Sequence, residues 1–252
     1  MVERKQKMKK KKPAPVKLVA AVERALNILG TFRTDAATHT LAEIADYTGL
    51  QKSTALRLLA TLERHGYIIR LSDGSYQLGV MLAHLGAIHR ASFRYEDHVL
   101  PILDQLSQET GESATFYIRQ GDQRLCLLRA HSRHLLRDVV NAGDLLPMNQ
   151  TSSSQVFNDF ADATWASVRV DPAKLIRKSA RVNDTMTASI AGPVFDGAGL
   201  IGVITISGPI GRFDIAAKEN SALLVKAITK LNDQLAGTWR SIRPKSSKAK
   251  VP

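Results

Sequence analysis

Four residues near the start of one predicted helix carry side chains suited to contact with nucleic acid. The set combines two cationic groups with two short hydroxyls: Lys52, Ser53, Thr54 and Arg57. Because residues three and four apart share a helix face, Ser53 and Thr54 lie on the same side as Arg57. Small hydroxyls and a guanidinium at the front of a helix suit base edges and phosphates in the DNA major groove. The spacing therefore predicts a DNA-contacting face.

Capping and turn signals place these residues on the second helix of a helix-turn-helix. Thr40 and Glu43 have the spacing of a capping box, which predicts a helix that starts at Leu41 and stops at Gly49. The second helix is predicted from about Lys52 to His65, and four apolar residues follow it at core spacing: Ala55, Leu58, Leu59 and Leu62.

A hairpin directly after the second helix makes the unit a winged helix-turn-helix. The Asp73-Gly74 turn separates two strand-like runs, 67–71 and 75–78, and Asp-Gly tolerates the positive φ of a tight turn. Arg70 and Ser75 flank the wing tip and are predicted to contact the DNA backbone or the minor groove. The alternative is that Lys52 and Arg57 form only the solvated face of a structural helix pair.

Helical periodicity predicts one further helix on each side of this unit. The first spans about 18–32 and is expected to pack under the helix-turn-helix through Val22, Ala25, Leu26 and Leu29. The second spans about 80–93 and is predicted to be a linker helix. We expect its apolar stripe to be covered either by its own domain or by a second subunit.

Charge and cysteine content limit the class of protein. The net charge is +12, but residues 1–17 carry +7 and residues 240–252 carry +5, so the folded interior is neutral and DNA binding must rest on placement. The N-terminal tail, 1–16, is predicted to be disordered. Both basic tails either contact phosphates or solubilise the chain. Cys126 is the only cysteine, which excludes an internal disulfide. No run approaches the roughly 18 apolar residues of a membrane span, so we expect a cytoplasmic protein.

The second half of the chain predicts an α+β domain. A helix over about 99–110 is followed by two strand-like runs, 113–119 and 123–129, and later by a long apolar hairpin, 187–195 and 200–207. Asp214 is expected to cap a closing helix that runs to about Leu235. Helices that bracket an antiparallel sheet give this architecture.

These residues resemble the IclR family of bacterial transcription regulators. The resemblance covers roughly 18–236 and is carried by Ala21–Leu26, Leu50–Leu59, Gly66, Tyr67, Tyr76–Gly79, Gly143, Pro147, Ala188–Asp196, Ser207–Pro209 and Arg212. It implies a winged helix-turn-helix joined by a helix to a GAF-like effector domain. It also implies binding to a palindromic operator as a dimer or a pair of dimers. The implied regions are a basic tail (1–16), the DNA-binding domain (17–79), the linker helix (80–94), the effector domain (95–237) and a second basic tail (238–252).

The family resemblance also implies an effector site for a small carboxylate or aromatic metabolite. Carried over, its residues are Gly143, Leu146, Met148, Asn183, Asp184, Ser189, Thr205 and Ser207. The chain departs from the family in one element, because the family's usual Gly-Lys-Ala-like sequence is replaced by residues 151–157, which include three consecutive serines. The predicted function is a sequence-specific regulator controlled by a small organic effector. The alternative is a ligand-independent architectural DNA-binding protein with a degenerate effector domain.

Enzyme and cofactor motifs are missing from the sequence. Ser152, Ser153 and Ser154 lack a Gly-x-Ser-x-Gly elbow and are expected to open a helix. His131 and His134 have no carboxylate at metal-ligand spacing and are expected on a surface loop. We therefore predict no catalytic residues, no metal site and no cofactor.

Overall fold

The computed structural model describes residues 18–92, 96–182 and 185–242. Three predicted segments lie wholly or partly outside these ranges: the basic tail at 1–16, most of the tail at 238–252, and the end of the linker helix. Contacts divide the chain into two units, 1–88 and 89–252. We describe each unit by itself.

The first unit is three helices and a small antiparallel sheet, followed by a fourth helix. Its elements are α1 (Ala20–Leu29), β1 (Thr38–His39), α2 (Leu41–Thr48), α3 (Lys52–Arg64), β2 (Ile68–Arg70), β3 (Tyr76–Leu78) and α4 (Val80–Ser92). The strands lie in the order β1-β3-β2. A buried core holds the helices and the wing together: Ile28, Ile44, Leu59, Ile68 and Tyr76.

The local signals at α2 and α3 are confirmed. The Thr40 hydroxyl accepts from the backbone N–H of Glu43, and the Glu43 carboxylate accepts from the Thr40 N–H at 2.7 Å, which is the predicted capping box. The Thr40 N–H and the Thr40 hydroxyl both donate to the Glu43 carboxylate and hold its pKa below the ordinary value. Gly49 ends α2 in the left-handed conformation, with φ 67°. The second helix therefore starts at Lys52, at the predicted position.

The predicted inward face of α1 is wrong at Val22 and Leu26 but not at Ala25 and Leu29. Ile28 is its buried residue, whereas Val22 is 56% and Leu26 is 60% exposed. The helix has two apolar stripes at helical spacing, and the core uses the one that contains Ile28 and the half-buried Ala25 and Leu29. The other stripe faces outward.

The second unit is a six-stranded antiparallel sheet with helices. Its elements are α5 (Glu96–Thr110), β4 (Ser113–Gln120), β5 (Gln123–Ala130), β6 (Leu145–Pro147), α6 (Ser152–Asp159), α7 (Trp165–Val168), a 3₁₀ turn (Pro172–Leu175), β7 (Arg177–Ala180), β8 (Thr187–Phe195), β9 (Leu200–Pro209) and α8 (Lys218–Ile242). The strand order is β6-β5-β4-β9-β8-β7. Together with the first unit, this confirms the predicted α+β class.

Two details of the second unit differ from the prediction. The closing helix α8 begins at Lys218, because the Asp214 carboxylate accepts from the backbone N–H of Ala216 at 2.7 Å and forms a turn before the helix. The short edge strands β6 and β7 were not predicted as strands. Within the described residues, no helix is both long and apolar enough to cross a membrane.

Candidate DNA-binding surface and ligand cavity

The predicted DNA-contacting face of α3 is open to solvent. Lys52, Ser53 and Arg57 are exposed and Thr54 is half-buried, while Ala55 and Leu59 on the opposite side are buried. The described part of the chain offers no ion-pair partner to Lys52 or Arg57. We call these four residues, Lys52, Ser53, Thr54 and Arg57, the recognition surface. Its cations are available to an external anion.

The wing presents one of its two predicted contact residues. Arg70 is exposed and its guanidinium lies 5.7 Å from the centre of the Tyr76 ring. Ser75 is 9% exposed, and its hydroxyl donates to the Asp73 carboxylate at 2.6 Å. The turn itself therefore uses the Ser75 hydroxyl, and Arg70 is the exposed one of the two wing residues. Gly74 has φ 87°, as the Asp-Gly turn requires.

A cavity of about 620 Å³ lies in the second unit, and we call it the sheet cavity. Its walls come from β4–β9, the loop before β6 and the start of α6. The lining residues are Tyr117, Arg124, Asp138, Val139, Val140, Leu146, Pro147, Asn149, Thr151, Ser153, Ser179, Val182, Thr187, Ala188, Ser189, Thr205 and Ser207. This volume is in the range of small-molecule sites.

Four of the predicted effector residues line the sheet cavity: Leu146, Ser189, Thr205 and Ser207. Strand register explains the grouping, because Ser189 lies opposite Ser207 and Thr205 lies two residues before Ser207 on β9. The Thr205 hydroxyl is buried and has no hydrogen-bond partner among the described residues.

The remaining predicted effector residues are not part of the lining. Gly143 adopts φ 98° and its N–H donates to the Cys126 carbonyl at 2.8 Å. Met148 packs against the hydrophobic core of the second unit instead. Asn183 and Asp184 lie outside the described residues. The structure thus places the predicted residues of the central strands in the lining of the sheet cavity and leaves Gly143 and Met148 outside it. Their role in effector binding stays a prediction.

The three consecutive serines open α6 and connect it to the sheet. Ser152, Ser153 and Ser154 are buried in its first turn, as predicted. The Ser152 N–H donates to the Ser179 hydroxyl at 2.8 Å, and the Ser152 and Ser189 hydroxyls are 2.7 Å apart. Hydroxyl contacts therefore hold the start of α6, where the sequence departs from the family pattern, against the sheet.

Sequence reasoning missed the charged groups of the sheet cavity. Arg124 is buried on β5, with its guanidinium 5.5 Å from the centre of the Tyr117 ring. Asp138 pairs with Arg129 and accepts from the Ser207 hydroxyl at 2.6 Å. Burial raises the pKa of the Tyr117 phenol, so Tyr117 stays neutral. The one available signal was the presence of two arginines, Arg124 and Arg129, in a strand-like run that is otherwise largely apolar.

The histidine pair stays a surface feature. His131 and His134 lie in the non-helical segment after β5. Among the described residues no group of three or more His, Cys, Asp or Glu side chains is placed to hold a metal ion.

A helix-turn-helix with a wing and an exposed cationic recognition surface define a class of DNA-binding protein. The second unit adds a sheet domain with a cavity. The family model of the IclR helix-turn-helix domain matches residues 21–71. The chain therefore carries a helix-turn-helix domain of the IclR family.

Known regulators resemble the chain in sequence, and a solved structure resembles it in fold. The chain is 25% identical over 239 residues to the transcriptional repressor IclR of Escherichia coli K12, covering 83% of this chain and 87% of that protein. It is 30% identical over 140 residues to the regulator XynR of the same strain, covering 55% of this chain and 56% of XynR. The structure of an IclR homologue from Microbacterium hydrocarbonoxydans, complexed with 4-hydroxybenzoate, is 18% identical with a TM-score of 0.71 and covers 86% of this chain and 99% of that one. At that identity the likeness concerns the fold.

Proposed function

We propose that this protein is a sequence-specific DNA-binding transcriptional regulator controlled by a small organic effector that binds in the sheet cavity. The observation that carries the proposal is the recognition surface. At the front of α3 it exposes a serine hydroxyl and two cations that have no ion-pair partner among the described residues. A second helix placed in this way enters the major groove and contacts base edges with its N-terminal residues.

The residue roles follow from reach and charge. Arg57 has the length and the fork of donors to bind a guanine edge, and Thr54 lies beside it on the helix. Lys52 and Ser53 precede them at the helix start and contact phosphates. Arg70 on the wing adds a further phosphate contact, which fixes the register of the protein on the duplex.

Replacement of Arg57 tests the DNA-binding proposal. The full chain would first be used to select a binding duplex from a random library, and affinity would then be measured by fluorescence anisotropy. Arg57→Ala should weaken binding by about 1–3 kcal/mol and relax the selected sequence at one position. Arg33→Ala is the matched control, because Arg33 is an exposed arginine outside α3 and the wing, paired with Asp35. An unchanged affinity and selected sequence in Arg57→Ala would refute the proposed role.

We also propose that protomers pair as a dimer or a dimer of dimers. Two half-sites on DNA require two recognition helices. The outward apolar stripe of α1, which includes Val22 and Leu26, gives a surface that another copy would cover. Leu26→Glu should shift the protein towards monomer in sedimentation equilibrium, whereas Leu135→Glu, at a 99% exposed leucine of the second unit, should not. A Leu26→Glu protein that associates like the wild type would contradict this surface.

Effector control is supported by the Ser189, Thr205 and Ser207 hydroxyls in a cavity with apolar walls. A bound 4-hydroxybenzoate in the Microbacterium homologue makes hydroxybenzoates sensible first probes. A ligand that binds only the folded protein raises its melting temperature. If no organic acid, aromatic or neutral metabolite stabilises the protein, the ligand-independent architectural alternative is favoured.

A further inference from the structure

One leucine of α3 lies outside the core of the first unit. The helix carries four leucines: Leu56, Leu58, Leu59 and Leu62. Leu59 is buried, and both Leu58 and Leu62 pack against the core. Among the described residues Leu56 does not belong to that core, and it is 45% exposed. The core therefore accounts for three of the four leucines and leaves the isobutyl group of the fourth open to solvent.

Leu56 shares a helix face with part of the recognition surface. It lies four residues after Lys52 and three after Ser53, so helical spacing puts the three side chains on one side. Ala60, four residues further on, is exposed on the same side, and its small side chain lets a partner approach closely. A single exposed leucine is ordinary in itself. Here the face also carries the Lys52 cation, which has no ion-pair partner among the described residues, so an anionic partner bound to this face also covers Leu56.

The major groove of DNA offers an apolar side chain one matching group. The base edges there present hydrogen-bond donors and acceptors, and the C5-methyl group of thymine is the exception. A leucine pressed against a donor or an acceptor displaces its water without replacing the hydrogen bond, which costs free energy. Against the thymine methyl group the same leucine buries apolar surface and stabilises the complex. An exposed leucine in the groove therefore selects thymine at the position that it contacts.

We infer that Leu56 is a specificity-determining residue that contacts the C5-methyl group of a thymine in the DNA site. The inference rests on the proposed DNA-binding function and adds an apolar, base-specific contact to the polar contacts assigned to Thr54 and Arg57. Loss of one buried methyl group lowers affinity about fourfold. The contact is therefore large enough to be measured by itself.

Deoxyuridine in place of thymidine removes this methyl group and keeps the base pair. The affinity of the full chain would be measured by fluorescence anisotropy for the selected duplex and for a set in which each thymine in turn is replaced by uracil. At one thymine the replacement should weaken wild-type binding about fourfold. Leu56→Ala should bind the thymine duplex more weakly by a similar factor and should bind the thymine and uracil duplexes equally at that position. This double-mutant cycle isolates the contact between the side chain and the methyl group.

Three further variants control for the position and the chemistry of the change. Leu145→Ala makes the same substitution at a leucine of β6 that is 50% exposed and outside the lining of the sheet cavity, and it should keep the wild-type affinity and the wild-type response to uracil. Leu56→Met keeps an apolar side chain of similar volume and should keep the response at the same thymine. If Leu56→Ala does not fold, Leu56→Gln carries the test and should lose that response, because its polar amide replaces the apolar group.

The outcomes separate this inference from the proposed function. If no uracil replacement weakens wild-type binding while Arg57→Ala still relaxes the selected sequence, the inference is overturned and the DNA-binding proposal stands. If a replacement weakens Leu56→Ala as much as it weakens the wild type, the methyl group acts through the shape of the DNA and the role of Leu56 is refuted. If the random library yields no preferred duplex, sequence-specific binding and the inference fail together.

Discussion

Replacement of Asp138 by Ala should destabilise the second unit by about 3–5 kcal/mol, because it leaves a buried guanidinium without its carboxylate. The Arg129 side chain is only 1% exposed and Asp138 is 13% exposed, so water cannot replace the lost partner. The change also removes the acceptor of the Ser207 hydroxyl. For a unit of this size the cost corresponds to a fall in melting temperature of roughly 6 to 20 °C.

Tryptophan fluorescence during urea unfolding measures the free energy of unfolding of the second unit. Both tryptophans, Trp165 and Trp239, belong to the second unit, so the signal is not mixed with unfolding of the first. Asp159→Ala is the matched control. Its partner Arg177 is 28% exposed and Asp159 is 47% exposed, and an ion pair at that exposure contributes only about 0–1 kcal/mol.

A double variant separates the cost of an unpaired buried charge from the cost of lost side-chain packing. Arg129→Met combined with Asp138→Leu removes both charges and should recover most of the stability, because apolar replacement of a buried pair is often neutral. A free energy of unfolding for Asp138→Ala within about 1 kcal/mol of wild type would refute the reasoning. So would a double variant no more stable than Asp138→Ala.

Two other predictions concern glycine packing and the single cysteine. Gly79→Ala should destabilise the first unit, because a Cβ there would lie 2.1 Å from the Gly66 carbonyl oxygen, whereas Gly86→Ala, with nothing within 4 Å, should stabilise α4 by about 0.5–1 kcal/mol. Hydrogen exchange of first-unit peptides measures both, and equal protection in the two variants would contradict the prediction. Burial raises the pKa of the Cys126 thiol to about 12, so the reactive thiolate is scarce near neutral pH and a thiol reagent should label Cys126 only as the protein unfolds. Rapid full labelling of the native protein at neutral pH would show that this residue is accessible.

Local signals predicted the first unit well because they act over a few residues. The Thr40–Glu43 capping box, the left-handed Gly49 and the Asp73–Gly74 turn each depend on neighbours in the chain. The face of α1 could not be predicted in the same way. Its two apolar stripes satisfy the helical period equally, and only contact with α2 and α3 selects Ile28 as the buried residue.

The second unit shows the same limit at its edges and in its cavity. The long apolar strands β8 and β9 were predictable from composition, whereas β7, with the sequence Arg-Lys-Ser-Ala, has no strand pattern and forms only by pairing with β8. Ser207 lies 69 residues from Asp138, and Arg124 lies 30 residues from Ser154. Their contacts depend on sheet register and on the position of α6.

The sequence by itself determined the helix-turn-helix, its wing, the cationic front of α3 and the central strands, since each follows from capping, turn chemistry or hydrophobic period. Tertiary structure decided which side of α1 is exposed and that Arg124 is a buried charge in a cavity. The physical reason is that burial and counter-ions are properties of groups brought together from distant parts of the chain.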